Sequence, residues 1–305
     1  MWSGTRVLVT GGRGFLGRHV IARLGALGAD PIPVGRAEAD LTNPEQARDL
    51  FRDVAAKVVV HCAAQGGGIG WMRDHPVESG RDNALINLNA LEAAYQSGAS
   101  LFIGASSTCA YPRTPTVPFK EEELWDGYPE PTNAAYAQSK RLMMELGKAY
   151  YDQHGFRTSF ALLGNLYGPG DDVDKERAHV VAALILRCLE HPEELVVWGT
   201  GQATREHLYV EDAADGLLAL AQYGKPDPIN IGTGREVSVA DLARAVVRAT
   251  GFKGAIVFDE SKPDGQPRKV MDCSRAHKLL DWRAKTPLDI GLAKTVQWYQ
   301  EQLGC

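Results

Sequence analysis

Tyr136 and Lys140 stand four residues apart in a stretch rich in helix-forming residues, which predicts a helix from about Ala134 to about Gln153. At this spacing both side chains lie on one face of the helix, one turn apart. The lysine charge is expected to lower the pKa of the phenol from its ordinary value of about 10. Such a pair can protonate an alkoxide as hydride reaches a carbonyl carbon. From spacing alone, a buried tyrosine and a surface lysine explain the pattern better, so the elements around the pair must decide.

A glycine-rich turn follows the first predicted strand, Arg6–Thr10, and leads into a helix predicted from Arg18 to Leu27. Glycines at every third position in this context permit a tight turn, close approach of a pyrophosphate, and packing of the helix on the strand. Backbone N–H groups at the helix start then face the phosphates. The turn residues that we expect at a dinucleotide cofactor are Gly11, Arg13, Gly14, Phe15, Leu16 and Gly17.

The end of the second strand, predicted near Pro31 to Val34, indicates which dinucleotide is bound. Chains that bind NAD usually carry Asp or Glu there for the ribose 2′-hydroxyl, whereas this strand runs into Gly35 and Arg36. Guanidinium groups make paired hydrogen bonds to phosphate. Either Arg13 or Arg36 alone would be an ordinary surface charge, but together they favour NADP(H). Asp40 and Leu41, which follow, are candidates for bracketing the adenine.

Two further strand ends bring small and polar residues to the same sheet edge. The third strand, Lys57–His61, runs into a small-residue segment containing Ala63 and Ala64, and ligands of open α/β sheets bind at such carboxyl ends. The fourth strand, Leu101–Ser106, runs into Ser107. We expect Ser107 to hydrogen-bond a substrate carbonyl beside Tyr136, and Ser106 to be a packed strand-end hydroxyl.

Alternating strands and helices predict an α/β fold, with a Rossmann-like doubly wound parallel sheet and a smaller C-terminal α/β substrate domain. We expect residues 1–169 to bind the cofactor, with return segments near 206–233, and residues 170–305 to bind mainly the substrate.

The composition of the 305 residues excludes several classes of protein. The net charge of −5, with dispersed basic residues, argues against nucleic-acid and anionic-membrane partners. No apolar run approaches the roughly 20 residues of a membrane span, and no signal-peptide pattern opens the chain. Five dispersed cysteines form neither a disulfide framework nor a metal site: Cys62, Cys109, Cys188, Cys273 and Cys305. These features predict a soluble, cytoplasmic protein with reduced thiols and no bound metal.

With these motifs assembled, the chain resembles the extended short-chain dehydrogenases/reductases and, within them, the GDP-L-fucose synthase family over nearly its whole length. The motifs that carry the resemblance are Gly67-Gly-Ile69, Ser107-Thr-Cys-Ala-Tyr-Pro112, Glu130-Pro-Thr-Asn133, Asn165-Leu-Tyr-Gly-Pro169, His179-Val180, Val197-Trp-Gly-Thr-Gly201, Arg205-Glu206 and Lys262-Pro-Asp-Gly-Gln-Pro-Arg-Lys269. The last of these is the most specific.

The resemblance implies roles for individual residues. Ser107, Tyr136 and Lys140 match the reductase triad of that family, and Lys140 also contacts the cofactor. Cys109 and His179 match its acid/base pair for epimerisation beside a 4-keto group. The positions that match those holding the nucleotide-sugar substrate are Asn165, His179, Arg187, Trp198, Arg205 and Lys262. The expected substrate is GDP-linked, and the family implies a homodimer through paired long helices.

Some positions depart from the family pattern and leave alternatives open. Leu163 and Gly164 replace a proline and a threonine, Gln65 precedes the glycine run, and Trp71-Met72 stands where small or amide residues are expected. A bulky Trp71 at the sugar pocket is compatible with a reductase or epimerase for another nucleotide-linked 4-keto sugar. A non-catalytic NADP-binding protein is a third reading, against which the intact Ser107, Tyr136 and Lys140 set argues.

Overall fold

Six parallel strands form the central sheet of the molecule, in the order β10-β5-β4-β3-β1-β2. The computed structural model describes residues 1–174, 178–190, 193–262 and 264–304. Smaller sheets join β11 to β8 and β13, β12 to β7, and β6 to β9. In chain order the strands are β1 (Arg6–Thr10), β2 (Asp30–Val34), β3 (Val58–His61), β4 (Leu101–Ser107), β5 (Arg157–Leu163), β6 (Asn165–Tyr167), β7 (Glu194–Trp198), β8 (Thr204–Arg205), β9 (His207–Tyr209), β10 (Ile229–Ile231), β11 (Val237–Ser238), β12 (Ala255–Asp259) and β13 (Arg268–Lys269).

Helices cover both faces of the central sheet, as expected when parallel strands are joined by crossover connections. Three short 3₁₀ turns, Thr108–Ala110, Glu121–Glu123 and Pro131–Asn133, lie between β4 and the fifth helix. The helices are α1 (Phe15–Ala26), α2 (Pro44–Val54), α3 (Ile69–Asp74), α4 (Pro76–Gln96), α5 (Ala134–His154), α6 (Val180–Leu189), α7 (Val210–Tyr223), α8 (Val239–Thr250), α9 (Ser274–Leu280) and α10 (Leu288–Leu303). None of these helices is both long enough and apolar enough to cross a membrane.

Burial of apolar side chains follows this layering. Phe102 and Phe160 belong to the core on one face of the central sheet, together with α2, α4 and α5. Val7 and Val60 belong to the core on the other face, together with α1 and α7. A third core, formed by α6, α8, α10 and β7, packs around buried residues such as Ile185. Strands buried on both sides read as continuous apolar runs, which is why Val58-Val-Val60 was readable as a strand.

The structure confirms the predicted fold class. Strand β1 has the predicted bounds, Arg6–Thr10, and Ser238 caps α8 through a hydrogen bond from the Asp241 amide. Helix α1 begins at Phe15 rather than Arg18, so the last glycine of the turn lies inside the helix. Residues 175–177, Pro263 and Cys305 lie outside the described residues, and the division into two domains near residue 169 stays a prediction.

Candidate active site

The glycine turn has the shape that a dinucleotide requires. Gly11 adopts φ +64, which favours glycine, and a Cβ on it would lie 2.8 Å from the Ala63 backbone. A Cβ on Gly17 would lie 2.0 Å from the Gly11 carbonyl oxygen. Helix α1 starts after Gly14 without a side-chain cap, so its first amides are free to meet an anion. The turn therefore fits a pyrophosphate at the start of α1, and Ala63 borders it.

The two arginines predicted for a 2′-phosphate are exposed and each faces a carboxylate. Arg13 donates to Glu38, whose other oxygen accepts from the Gly35 amide at 2.7 Å. Arg36 lies 3.5 Å from Asp40, which also accepts from Thr42. The Arg13 hydrogen bond lowers the pKa of Glu38. Sequence reasoning missed Glu38, although an acidic residue shortly after the second strand is the usual signal for a ribose contact.

Two other predicted cofactor residues differ in exposure. Leu41 is buried in the core and Ala64 is exposed.

Buried hydrogen bonds connect the strand before the glycine turn to two helices. The His61 ring contacts Thr10 Oγ1 at 2.8 Å and Asn87 Oδ1 at 3.0 Å, and Asn87 donates to the Ser139 carbonyl. This chain of hydrogen bonds ties the strand before the glycine turn to α4 and α5. It fixes the helix that carries Tyr136 relative to the turn.

Tyr136 and Lys140 face each other on α5, as their spacing predicts. The lysine Nζ lies 5.7 Å from the centroid of the phenol ring and donates to the Ala105 carbonyl of β4 at 2.9 Å. Lys140 is 2 % exposed, and burial lowers its pKa to about 8. This burial overturns the surface-lysine reading of the pair.

The predicted direction of the Tyr136 pKa is wrong. Burial raises the pKa of the phenol, and the neighbouring Cys109 adds a smaller raising effect. Removing water around the phenol penalises the phenolate, and the predicted lowering by Lys140 is not observed. Tyr136 therefore holds its proton at neutral pH, which suits a group that has to donate that proton.

Ser107 and Cys109 meet in the turn that follows β4. The Ser107 Oγ accepts from the Cys109 amide at 3.2 Å and so caps the 3₁₀ turn Thr108–Ala110, against which α5 packs. Arg141 of α5 donates to three backbone carbonyls, including Ala110, and holds this turn in place. Ser106 is 4 % exposed, as expected for a packed strand-end hydroxyl. Ser107, Cys109, Tyr136 and Lys140 thus lie together at the carboxyl end of β4.

Cys109 has two neighbours to which sequence reasoning gave no role. Asn133 Nδ2 donates to its sulfur at 3.2 Å, and Lys269 Nζ donates to it at 3.8 Å. Both residues belong to sequence motifs that carry the family resemblance. That membership is the signal by which they could have been found. The thiol therefore has an amide donor and an ammonium beside it.

His179 caps α6 and contacts Asp171, a residue that sequence reasoning did not single out. Its Nδ1 lies 3.2 Å from one Asp171 oxygen, and its side chain is about half exposed, 48 %. Partial burial, which lowers the pKa of His179, is outweighed by the hydrogen bond and charge of Asp171, so the pKa is raised. In the described part of the chain, no hydrogen bond joins His179 to Cys109.

The predicted substrate residues form a second group, separate from Ser107, Tyr136 and Lys140. Trp198 is 54 % exposed, and Lys262 Nζ lies 5.8 Å from its ring centroid. Arg205 donates to the Asp264 carbonyl at 3.2 Å, and burial lowers its pKa. Asn165 donates to the Glu206 carbonyl at 3.0 Å, and Arg187 donates to the Val196 carbonyl at 3.0 Å.

Strand pairing connects the two groups. Lys269 of β13 stands opposite Arg205 of β8, so the residue beside Cys109 lies next to a predicted substrate residue. Glu206, directly after Arg205, is buried; burial raises its pKa to about 7, against hydrogen bonds from the amides of Gly234, Thr233 and Met271. The site therefore combines an anion-binding turn, a proton donor, a thiol and an arginine–lysine–tryptophan group.

Comparison with known proteins agrees with this arrangement. Residues 7–232 match the model of the NAD dependent epimerase/dehydratase family. A probable GDP-L-fucose synthase of Oryza sativa subsp. japonica is 39 % identical, over 98 % of this chain and 93 % of that protein. The GDP-L-fucose synthase of Sinorhizobium fredii is 38 % identical, over 96 % and 95 %.

Solved structures give the same picture. The crystal structure of a GDP-L-fucose synthetase from Naegleria fowleri bound to NADP superposes with a TM-score of 0.90 and 30 % identity, over 99 % of this chain and 96 % of that one. The chain belongs to the NAD dependent epimerase/dehydratase family, and within it is a relative of the GDP-L-fucose synthases.

Proposed function

We propose that this protein is an NADPH-dependent enzyme that inverts C3 and C5 of a GDP-4-keto-6-deoxyhexose and then reduces C4, giving a GDP-6-deoxysugar such as GDP-L-fucose. The observation that carries the proposal is the buried Tyr136–Lys140 pair beside Cys109 at the end of β4. The similarity to GDP-L-fucose synthases over nearly the whole chain supports the substrate class.

The cofactor supplies the hydride when it is bound. Gly11, Gly14 and Gly17 leave room for its pyrophosphate, and the uncapped amides of α1 would donate to the phosphate oxygens. The NADP-bound relative supports this choice of dinucleotide. Phe15 and Leu16 would meet the pyrophosphate at the start of α1, Asp40 and Leu41 would flank the adenine, and Ala63 and Ala64 would line the cofactor site.

Tyr136 donates the proton in the reduction step. Its raised pKa keeps the phenol protonated until negative charge develops on the C4 oxygen, when proton transfer becomes favourable. The Lys140 ammonium stabilises the phenolate that remains. Ser107 hydrogen-bonds the C4 oxygen and holds the carbonyl beside Tyr136.

Cys109 and His179 carry the proton transfers at C3 and C5. The 4-keto group acidifies these positions because the electrons left by a departing proton are delocalised onto the ketone oxygen. One residue removes the proton and the other returns one from the opposite face, which inverts the carbon. Arg187, Arg205 and Lys262 bind the diphosphate, Trp198 stacks on the base or sugar, and Asn165 contacts polar groups of the substrate.

Incubation with NADPH and GDP-4-keto-6-deoxymannose tests the function. The proposal expects oxidation of NADPH and formation of a GDP-6-deoxysugar with inverted C3 and C5. Binding of NADPH without oxidation, for every nucleotide-linked 4-keto sugar offered, would instead support a non-catalytic NADP-binding protein.

A second candidate function is reduction or epimerisation of another nucleotide-linked 4-keto sugar. The observation that favours it is Trp71 of α3, which stacks on His75 with ring centroids 4.9 Å apart. Helix α3 packs against the turn that carries Asn133, the residue that donates to the Cys109 sulfur. Turnover of a different 4-keto sugar, with GDP-4-keto-6-deoxymannose rejected, would establish this alternative.

The choice of NADPH rests on Arg13 and Arg36. Replacing both with glutamine should weaken NADPH binding much more than NADH binding, because only NADPH has a 2′-phosphate for the guanidinium groups to meet. Glu38→Gln should strengthen NADPH binding relative to NADH binding, since it releases Arg13 from its carboxylate partner. The dissociation constants of NADPH and NADH, measured for each variant, test this prediction. A wild-type protein that already prefers NADH would contradict the assignment.

Asp171 should set the pH range of epimerisation. Its hydrogen bond and charge raise the pKa of His179, so the imidazolium persists to higher pH. If His179 returns the proton, exchange falls as pH rises through its pKa. In Asp171→Asn the charge is lost, so this fall should move to lower pH. Measuring solvent exchange against pH tests the point, and an unmoved profile would rule out this role for Asp171.

We also propose a homodimer formed through α4 and α5. Val77 and Leu85 of α4 and Leu142 of α5 are exposed apolar side chains on this helix pair. Leu142→Asp should convert a dimer to a monomer in light scattering, whereas Leu303→Asp, on α10, should leave the mass unchanged. A wild-type monomer would contradict the proposal.

The free thiols among the described cysteines are consistent with a cytoplasmic enzyme.

A further inference from the structure

The Cys109 sulfur receives hydrogen bonds from two distant parts of the chain. Asn133 lies in the 3₁₀ turn just before α5, and Lys269 lies in β13, 160 positions after the cysteine. Their nitrogens lie 3.2 Å and 3.8 Å from the sulfur. In both contacts the sulfur is the acceptor, so both neighbours orient the thiol group.

Asn133 is held in a geometry that leaves one group unused. The residue is 7 % exposed, and its Oδ1 is a buried acceptor without a hydrogen-bond partner in the described part of the chain. A buried acceptor without a partner is costly, so a native structure that keeps one usually has a functional reason. The amide thus gives its donor to the sulfur and keeps its acceptor for a group that enters the site, such as a sugar hydroxyl.

Lys269 is fixed by its backbone while its ammonium stays available. Its strand pairs with Thr204–Arg205, and its carbonyl accepts from the Glu206 amide at 3.2 Å. Among the described residues, no carboxylate lies within salt-bridge distance of Lys269. The preceding Arg268 is different, because it pairs with Glu236 and is exposed. Alternation along the strand sends these neighbouring side chains in opposite directions.

We infer that Asn133 and Lys269 are positioning residues that hold the Cys109 sulfur toward the sugar, with the Lys269 ammonium beside it. The inference rests on the proposed function for its catalytic meaning, but the reactivity of the thiol can be measured without any sugar. Among the described residues, the charged side chain in direct contact with the sulfur is Lys269; the Tyr136 phenol lies near Cys109, and the buried Glu206 lies near Lys269. The C-terminal segment therefore completes the proton-transfer site on the N-terminal sheet.

Alkylation of Cys109 by iodoacetamide at one neutral pH, followed by peptide mass spectrometry, tests the inference on the whole protein. Lys269→Met should lower the rate of alkylation roughly tenfold, because the positive charge beside the reacting sulfur is lost. Lys269→Arg should restore most of the rate, and Arg268→Met should match wild type. Asn133→Asp replaces the donor with acceptors and should also lower the rate.

Solvent-deuterium exchange into GDP-4-keto-6-deoxymannose without NADPH is the second readout. Lys269→Met and Asn133→Asp should lower it roughly tenfold or more, with NADPH affinity unchanged. Equal alkylation rates for wild type and Lys269→Met would overturn the inference. Lower rates in Lys269→Met and Asn133→Asp, with a wild-type protein that exchanges no proton of the sugar, would support the inference about the thiol and overturn the proposed function.

Discussion

Replacement of Tyr136 by phenylalanine is expected to lower the rate of ketone reduction by roughly 10²–10⁴-fold, the loss typical of removing a general acid. In the proposed mechanism the buried phenol donates the proton, and its raised pKa keeps the proton in place until the alkoxide forms. Phenylalanine keeps the ring and its packing, so NADPH affinity should change little. Single-turnover oxidation of NADPH in the presence of the 4-keto sugar measures the effect.

The matched control for this change is Tyr223→Phe. In the described structure the Tyr223 hydroxyl meets Asp227, at 3.4 Å, and Arg275 at the end of α7, so its loss should leave reduction at the wild-type rate. Reduction at the wild-type rate in Tyr136→Phe as well would show that another group delivers the proton.

Replacement of Cys109 by serine, or of His179 by glutamine, should separate the two chemistries. Serine is a far weaker acid than a thiol, and glutamine does not titrate in the physiological range. Either change should slow incorporation of solvent deuterium into the 4-keto sugar by roughly 10²-fold or more when NADPH is absent. NADPH binding should survive, because the glycine turn is untouched. Direct reduction of the unepimerised ketone should then appear as a different product.

Cys188→Ser is the control for the loss of a thiol. Cys188 is buried on α6 and contacts the Thr250 side chain, a partner that a serine hydroxyl can keep. This variant should exchange protons like wild type. Exchange that requires Tyr136 but ignores both Cys109 and His179 would mean that the acid/base pair has been assigned wrongly.

Local signals explain why the shape of the glycine turn and the proximity of Tyr136 and Lys140 could be predicted from the sequence. The turn at Gly11 needs a positive φ, and Gly17 leaves no space for a Cβ, so the chain has few alternatives to glycine there. Tyr136 and Lys140 share a helix, and helical geometry alone brings them together. The apolar runs of β1 and β3 likewise identify strands buried on both faces.

Contacts between distant segments explain what could not be predicted. The direction of the Tyr136 pKa depends on how completely the surrounding elements exclude water, which spacing within a helix does not reveal. Lys269 reaches Cys109 only because β13 pairs with β8. The pairing of Arg13 with Glu38 depends on the turn after β2, which brings Glu38 to the glycine turn, and the sequence alone does not reveal this approach.

The most direct test of the proposed chemistry is one incubation of the wild-type protein with GDP-4-keto-6-deoxymannose and NADPH in deuterated water, followed by NMR of the product. The proposed mechanism predicts a GDP-6-deoxysugar with deuterium at both C3 and C5, inverted at both centres, and with hydride from NADPH at C4. A reduced sugar without deuterium at C3 or C5 would contradict it, because the ketone would then have been reduced with no proton transfer by Cys109 and His179.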